Sequence, residues 1–295
     1  MSLRIMSIAD DNHKLVEIEK VHGRELDFGY HVYPQLFGSV NGLLLISLSI
    51  SLRDFIVWNP TTGEFRKIDR KISKESKYEV MYMAGIGYSS SNGDHYKIVV
   101  AESCRLQNNS IEVEIYDLKK SSWKTKKCDF PYKFLSLSFD TPGITLANGI
   151  PNWHFKRMNN DRSVILSFDM VDEIFKEIDL PEYIFDFKFM SALEGCLCIG
   201  IRNYISDPLC VWKMSEYGRR KSWIKLEVVF YGKFRDDIYI MPLGFLGKGQ
   251  VIMNYARASI VTVDVTQPGY KFIMQSKHDN NYTVAAFVET LVCPN

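Results

Sequence analysis

His13, His22, His31, His95, His154 and His278 are the side chains of this 295-residue chain best suited to acid–base or metal chemistry. Their spacing supports neither. A zinc hydrolase of the H-E-x-x-H kind needs two histidines one helical turn apart around a glutamate, and no such segment occurs. His154 stands in "NWHF", a context that suits a structural strand residue beside a tryptophan. The cysteines are Cys104, Cys128, Cys196, Cys198, Cys210 and Cys293. In "CLC", Cys196 and Cys198 share one face of a strand, too close along the chain for an ordinary disulfide and without zinc-ligand spacing. Buried free thiols in a reducing compartment are the expectation. No Gly-rich phosphate loop, G-x-S-x-G elbow or catalytic-cysteine signature is present. The sequence therefore predicts no catalytic residue, no metal ligand and no cofactor.

Charge chemistry is equally diffuse. Basic clusters occur at 70–77 ("RKISKESK"), 119–127 ("KKSSWKTKK") and 218–221 ("GRRK"), but 36 basic residues are balanced by 35 acidic ones, for a net charge of +1. A global pull on nucleic acid or on an anionic membrane is absent, so neither is an expected partner. No run of eighteen apolar residues occurs, and "MSLRIMSIADDNHKL" lacks the apolar core of a signal peptide. A cytoplasmic or nuclear location is expected, and the sequons at Asn108 and Asn281 read as chance.

Asp117, Asp169 and Asp264 look at first like an acid set, but each belongs to the same local pattern. Asn59 joins them in "VWNPTTGEF". In each case an aromatic or β-branched residue precedes the short polar side chain and a second large residue follows seven positions after the first. The pairs are Trp58 and Phe65, Tyr116 and Trp123, Phe168 and Phe175, and Val263 and Tyr270. Trp212 and Trp223 form a fifth pair, eleven apart, as though the turn were lengthened; there Lys213 replaces the polar opener. Asn and Asp open such turns because their carbonyl or carboxylate oxygen accepts from the backbone N–H two residues on. Each copy is a β-hairpin, and a residue recurring once per repeat at one turn is kept apart from its equivalents, not gathered into a site. The repeated aromatics Trp58, Tyr116, Phe168 and Trp212 are expected to pack between repeats.

A second hairpin precedes each copy, turning at Asn41-Gly42, Asn92-Gly93, Asn148-Gly149, Glu194-Gly195 and Gly247-Lys248-Gly249. Two hairpins per repeat make four antiparallel strands. The first members of the aromatic pairs lie 58, 52, 44 and 51 residues apart. Four strands about every 50 residues describe a β-propeller blade. At the N-terminus Ile8 and Leu15 are seven apart in a polar-turn hairpin with no hairpin before it, while "YTVAAFVETLVCPN" ends the chain with a hairpin and none after. Joining residues 1–20 with 282–295 completes a last blade. The sequence thus predicts an all-β, six-bladed propeller (seven as the alternative), forming one domain over residues 1–295, with little helix.

"GSVNGLLLI", "DFIVWNPTTGEFRKI", "GIGYSSSNGDHYKIV", "VEIYDLKKSSWK", "GIPNWHF", "ILSFDMVDEIFKEIDLP", "LEGCLCI" and "VWKMSEYGRRKSWIKL" occur in this order from about residue 38 onward. Together they resemble the F-box-associated β-propeller of plant F-box proteins, which include F-box/kelch-repeat and S-locus F-box proteins. The resemblance implies a substrate receptor of an SCF (Skp1–cullin–F-box) ubiquitin ligase. The helical F-box of that family, with its Leu-Pro pairs, has no counterpart here, since the chain reads as strand from residue 4. Skp1 and cullin are therefore expected as partners only through an F-box that this chain lacks.

Recognition of a protein substrate is expected on the variable connections between hairpins and blades, which are rich in Tyr, Phe and Arg. Tyr30, Tyr132, Tyr183, Tyr204 and Arg235 are the candidate partner contacts. Two rivals remain open. One is a glycan-binding or enzymatic propeller with its site in the central channel, although the Ser-x-Asp-x-Gly-x-Thr-Trp turns of propeller sialidases are missing. The other is a truncated competitor that binds the target without recruiting a ligase.

Overall fold

The computed structural model describes residues 3–9, 14–21, 35–47, 52–71, 80–89, 95–104, 110–133, 145–202, 209–226, 240–246, 250–255, 259–264, 270–275 and 291–294. Strands β1 (Leu3–Ala9) and β2 (Lys14–Val21) pair with each other. Blade 1 comprises β3 (Gln35–Val40), β4 (Leu43–Ser47), β5 (Asp54–Trp58) and β6 (Phe65–Asp69). Blade 2 holds β7 (Val80–Ser89), β8 (His95–Cys104), β9 (Ser110–Asp117) and β10 (Ser122–Asp129). In blade 3 two short strands, β11 (Tyr132–Lys133) and β12 (Thr145–Ala147), both pair with β13 (Ile150–Arg157), followed by β14 (Ser163–Asp169) and β15 (Ile174–Ile178). Blade 4 runs through β16 (Phe189–Leu193), β17 (Cys196–Arg202), β18 (Leu209–Met214) and β19 (Trp223–Leu226). Blade 5 is β20 (Ile240–Leu246), β21 (Gln250–Tyr255), β22 (Ser259–Asp264) and β23 (Tyr270–Gln275). Among the described residues the only helix is a single 3-10 turn, Arg220–Ser222.

The architecture is an all-β propeller, but the blade count departs from the expected six or seven. Five sheets have a full set of strands; the sixth, β1–β2, has two. A complete blade needs a Gly-turn hairpin joined edge to edge with a polar-turn hairpin, and the N-terminal segment supplies only the latter. Its partner hairpin was expected over residues 282–295, of which only 291–294 are described, without strand; the Asn92-Gly93 and Gly247–Gly249 turns also lie outside the described residues. The β1–β2 pair lies beside blade 5, with β2 near β23.

The local turns form for the reasons their residues suggest. Asn41 and Gly42 have φ of 47° and 79°, and Asn148 and Gly149 have 55° and 72°. Two successive positive φ values make the type I′ hairpin turn, whose twist matches that of the flanking strands. In the outer turns Asn59 Oδ1 accepts from Thr61 N at 2.8 Å, Asp117 Oδ1 from Lys120 N at 3.0 Å, and Asp169 Oδ1 from Val171 N at 2.8 Å.

Register tests the repeat directly. Trp58 opposes Phe65, Tyr116 opposes Trp123, Phe168 opposes Phe175, Val263 opposes Tyr270 and Ile8 opposes Leu15. The blade 4 pair differs from the sequence reading: Trp223 opposes Met214, while Trp212 opposes Lys225. The 3-10 turn lengthens the connection by two residues, not four. With Met214 as the first member, the next residue is the polar Ser215, whose hydroxyl donates across the turn to Ser222 O at 3.0 Å instead of accepting from a turn N–H as Asn59, Asp117 and Asp169 do. Trp58, Tyr116 and Phe168 are buried, whereas Trp212 is partly buried at the edge of the core between blades 3 and 4.

Cores lie between successive blades. Phe37, Leu45, Phe55 and Val57 of blade 1 meet Ile86, Ile98 and Tyr116 of blade 2. Blade 2 packs on blade 3 through Val99, Val113, Trp153 and Phe168. Ile165 and Ile178 of blade 3 meet Leu197, Met214 and Trp223 of blade 4, and Leu193 and Val211 meet Val251 and Val261 of blade 5. Blades 2, 3 and 4 thus carry a core on each face, and an inner strand such as "LLLIS" of blade 1 is buried at every position.

Candidate functional site

Buried chemistry in this molecule holds blades together. Arg70, at the end of blade 1 with its side chain 2% exposed, reaches blade 2. Its Nε and Nη2 donate to Glu114 at 2.9 and 2.8 Å, Nη2 also bonds Glu102, and Nη1 donates to Leu52 O at 3.4 Å. Burial works against the guanidinium charge, but the bonds to Glu114 and Glu102 outweigh it and hold the pKa above its ordinary value. So the first residue of the basic cluster at 70–77 is an inter-blade ion and not a nucleic-acid contact. Lys97 and Lys124 of blade 2 both bond Glu173 in the outer turn of blade 3. Burial would raise the Glu173 pKa, yet these two cations hold it below the usual carboxylate range.

Among the described residues, His154 is the histidine whose surroundings resemble a catalytic arrangement. Its Nε2 lies 2.8 Å from Ser163 Oγ, and Ser163 bonds Asp186. The order is wrong for nucleophilic catalysis. The serine is the middle member and donates its proton to Asp186, so the imidazole N–H donates to the serine oxygen and cannot remove its proton. The ring stacks on Phe187 at 3.7 Å, and burial lowers its pKa to about 3. Cys196 and Cys198 are free thiols on β17; burial pushes Cys198 up to about 12, which suppresses the reactive thiolate. Among the described residues no group of three His, Cys, Asp or Glu side chains could hold a metal ion.

The exposed chemistry gathers at one end of blade 3. Here the β13–β14 turn, the β11 strand and the connection from β15 to β16 meet. Met158 N donates to Pro131 O at 3.0 Å, and Ser163 N donates to Phe185 O at 3.0 Å. Of the predicted contacts, Tyr132 sits on β11 and donates to Glu177 Oε1 at 2.8 Å, and Glu177 also binds Arg157. Burial and the neighbouring carboxylate both raise the Tyr132 pKa. Tyr183 lies in the β15–β16 connection and is 85% exposed. Tyr132 and Tyr183 therefore share this end of the blade, Tyr132 bonded to Glu177 and Tyr183 exposed. Tyr30, Tyr204 and Arg235 lie outside the described residues.

Sequence reasoning overlooked two residues here. Arg162 places its guanidinium carbon 4.3 Å from the centroid of Phe185, a ring that is 52% exposed. Both stand in segments of ordinary loop composition, and only the pairing of turn with connection brings them together.

Five successive sheets of at least four strands, with apolar cores between neighbouring blades, define a β-propeller. The profile of the F-box associated β-propeller domain matches residues 1–289, and the chain belongs to that family. Its relatives in Arabidopsis thaliana include F-box protein CPR1, 27% identical over 88% of this chain and 68% of that protein. An F-box/kelch-repeat protein of the same plant is 26% identical over 89% of this chain and 70% of its own length. A third, also an F-box protein, is 28% identical, and the match spans 52% of its length. Solved structures are remote: a Porphyromonas gingivalis dipeptidyl peptidase 4 aligns with TM-score 0.40 and 10% identity, over 83% of this chain and 39% of that one. Nothing about activity follows at that distance.

Proposed function

We propose that this propeller is the substrate-recognition module of an SCF-type E3 ubiquitin ligase. The family match over residues 1–289, with relatives that are named F-box proteins, carries the reading. The structure is consistent with it, because a receptor needs a rigid scaffold that presents side chains and no catalytic group of its own; ligase chemistry belongs to other subunits. Skp1 and cullin would be reached through an F-box, a helical segment distinct from these blades. The position of β1–β2 beside blade 5, and of Val292 against blade 1, supports a ring drawn closed by both chain ends within one domain.

The test is partner capture by the purified 295-residue chain beside capture by a fusion carrying an F-box, with Skp1 binding measured for both. The expected outcome is that both hold the same partner protein and only the fusion holds Skp1. Tight Skp1 binding by the propeller alone, or turnover of a glycan, would overturn the reading.

A further inference from the structure

Tyr183 occupies a position that the backbone does not favour for it. Ile184 N donates to Pro181 O at 3.2 Å, closing a β-turn in which Tyr183 is the third residue, with φ of 65°. That φ at that place is the type II pattern, where glycine is the usual occupant and a bulky residue is strained. Pro181 is buried and Ile184 is partly buried in the core between blades 3 and 4, so the turn is anchored on both sides of Tyr183. The strained residue is also the one that points outward. Beside it Phe185 is 52% exposed under Arg162, and Met158, in the turn that Arg162 closes, is 41% exposed. Three large apolar side chains thus stand in water at one end of a blade whose other large side chains mostly pack inward.

Charge at this end is mostly compensated. Asp161 pairs with Lys133 and Lys156 and Glu177 with Arg157, while Asp186 accepts from the Ser163 hydroxyl and keeps its charge. Arg162 is different: its guanidinium has no carboxylate partner among the described residues and rests on an aromatic face. A guanidinium held on a ring keeps its edge N–H donors free for a carboxylate. Glu182, next to Tyr183, is exposed, and its carboxylate repels an acidic group brought near it.

Resting on the receptor reading above, we infer that the ridge of Met158, Arg162, Tyr183 and Phe185 docks an extended segment of the partner protein in which a carboxylate side chain stands next to an aliphatic or aromatic one. The acid pairs with Arg162 while its neighbour covers Tyr183 and Phe185. Strain at Tyr183 is retained because it holds the ring outward before binding, which lowers the ordering cost of association.

The probe is a pair of immobilised twelve-residue peptide sets, one with Asp or Glu beside Leu or Phe, the other with Lys replacing the acid. The purified 295-residue chain should be retained by the acidic set alone, and less so as salt rises. Arg162→Glu and Tyr183→Ser should each reduce retention at least tenfold, and Glu182→Gln should increase it, with thermal melts unchanged in all three. Equal retention by both sets, retention by neither, or retention indifferent to Arg162→Glu and Tyr183→Ser overturns the inference. If a captured partner protein is still held after Arg162→Glu, the ridge fails and the receptor reading stands. Loss of capture by the F-box fusion itself counts against the receptor reading.

Discussion

Arg70 shows how a charged residue can be both buried and necessary. It faces two carboxylates from adjacent strands of the next blade, Glu102 and Glu114, which oppose each other once the cation is removed. Arg70→Met should destabilise the protein by about 3 kcal/mol, the lower part of the range for breaking a buried pair, because both glutamates keep some solvent contact. Adding Glu102→Gln and Glu114→Gln should recover much of that loss; denaturant melts of the single and triple variants check it. His154 makes a pH prediction. Its folded pKa of about 3 lies below the ordinary 6.5, so the unfolded chain takes up a proton first as pH falls. Stability contributed by the neutral ring is complete above pH 6.5 and is lost between pH 6.5 and 3, with a slope approaching about 1.4 kcal/mol per pH unit. A His154→Phe variant should show a flatter stability profile across that window.

The outer hairpins of blades 2 and 4 each carry a device that reaches the preceding blade. Trp123 Nε1 donates to Asp69 O at 2.9 Å, and Trp223 Nε1 donates to Asp179 O at 2.8 Å. Both tryptophans are second members of their pairs, and both acceptors are carbonyls at the end of the previous blade's outer strand. The equivalent Phe175 has no N–H to offer, and it instead packs on Phe168 at 5.0 Å. The indole thus joins apolar burial to a backbone hydrogen bond across a seam. Trp223→Ala should cost about 3–4 kcal/mol and Trp223→Phe about 1 kcal/mol, the second being the hydrogen bond alone. Trp212→Ala should cost less than Trp223→Ala, since Trp212 is only partly buried; urea melts of the three variants decide the order.

The two described terminal segments bear on different blades, the C-terminal one on blade 1 and the N-terminal hairpin on blade 5. Asn59, fully buried in the outer turn of blade 1, donates from Nδ2 to Val292 O at 2.7 Å, and Val292 packs on the core between blades 1 and 2. Asn59 therefore has two tasks: its oxygen shapes the turn and its amide holds the C-terminal segment. Removing residues 291–295 should lower the melting temperature of the whole propeller, because the buried amide of Asn59 loses its acceptor. Removing residues 1–21 should do the same by baring the flank of blade 5. Either truncation melting cooperatively at the original temperature would show that the ends are ornaments, not clasps.

Much of this protein was legible along the chain because propeller geometry is local. Strand pairing within a blade joins neighbours in sequence, so the turn residues and the seven-residue spacing of Trp58 and Phe65 announce their own register. Where the spacing changed, the sequence pointed to Trp212 as the partner of Trp223, and the register overturned that pairing. The 3-10 turn at Arg220–Ser222 made the choice in favour of Met214 and Trp223. The count of complete blades could not be read from repeats either, since closing a ring depends on pairing between distant ends. Arg70 with Glu102 and Glu114, and Arg162 with Phe185, were equally silent. Their partners lie on other strands and turns, 23 to 44 residues away, and only the stacking of sheets and the meeting of turns with connections sets those distances.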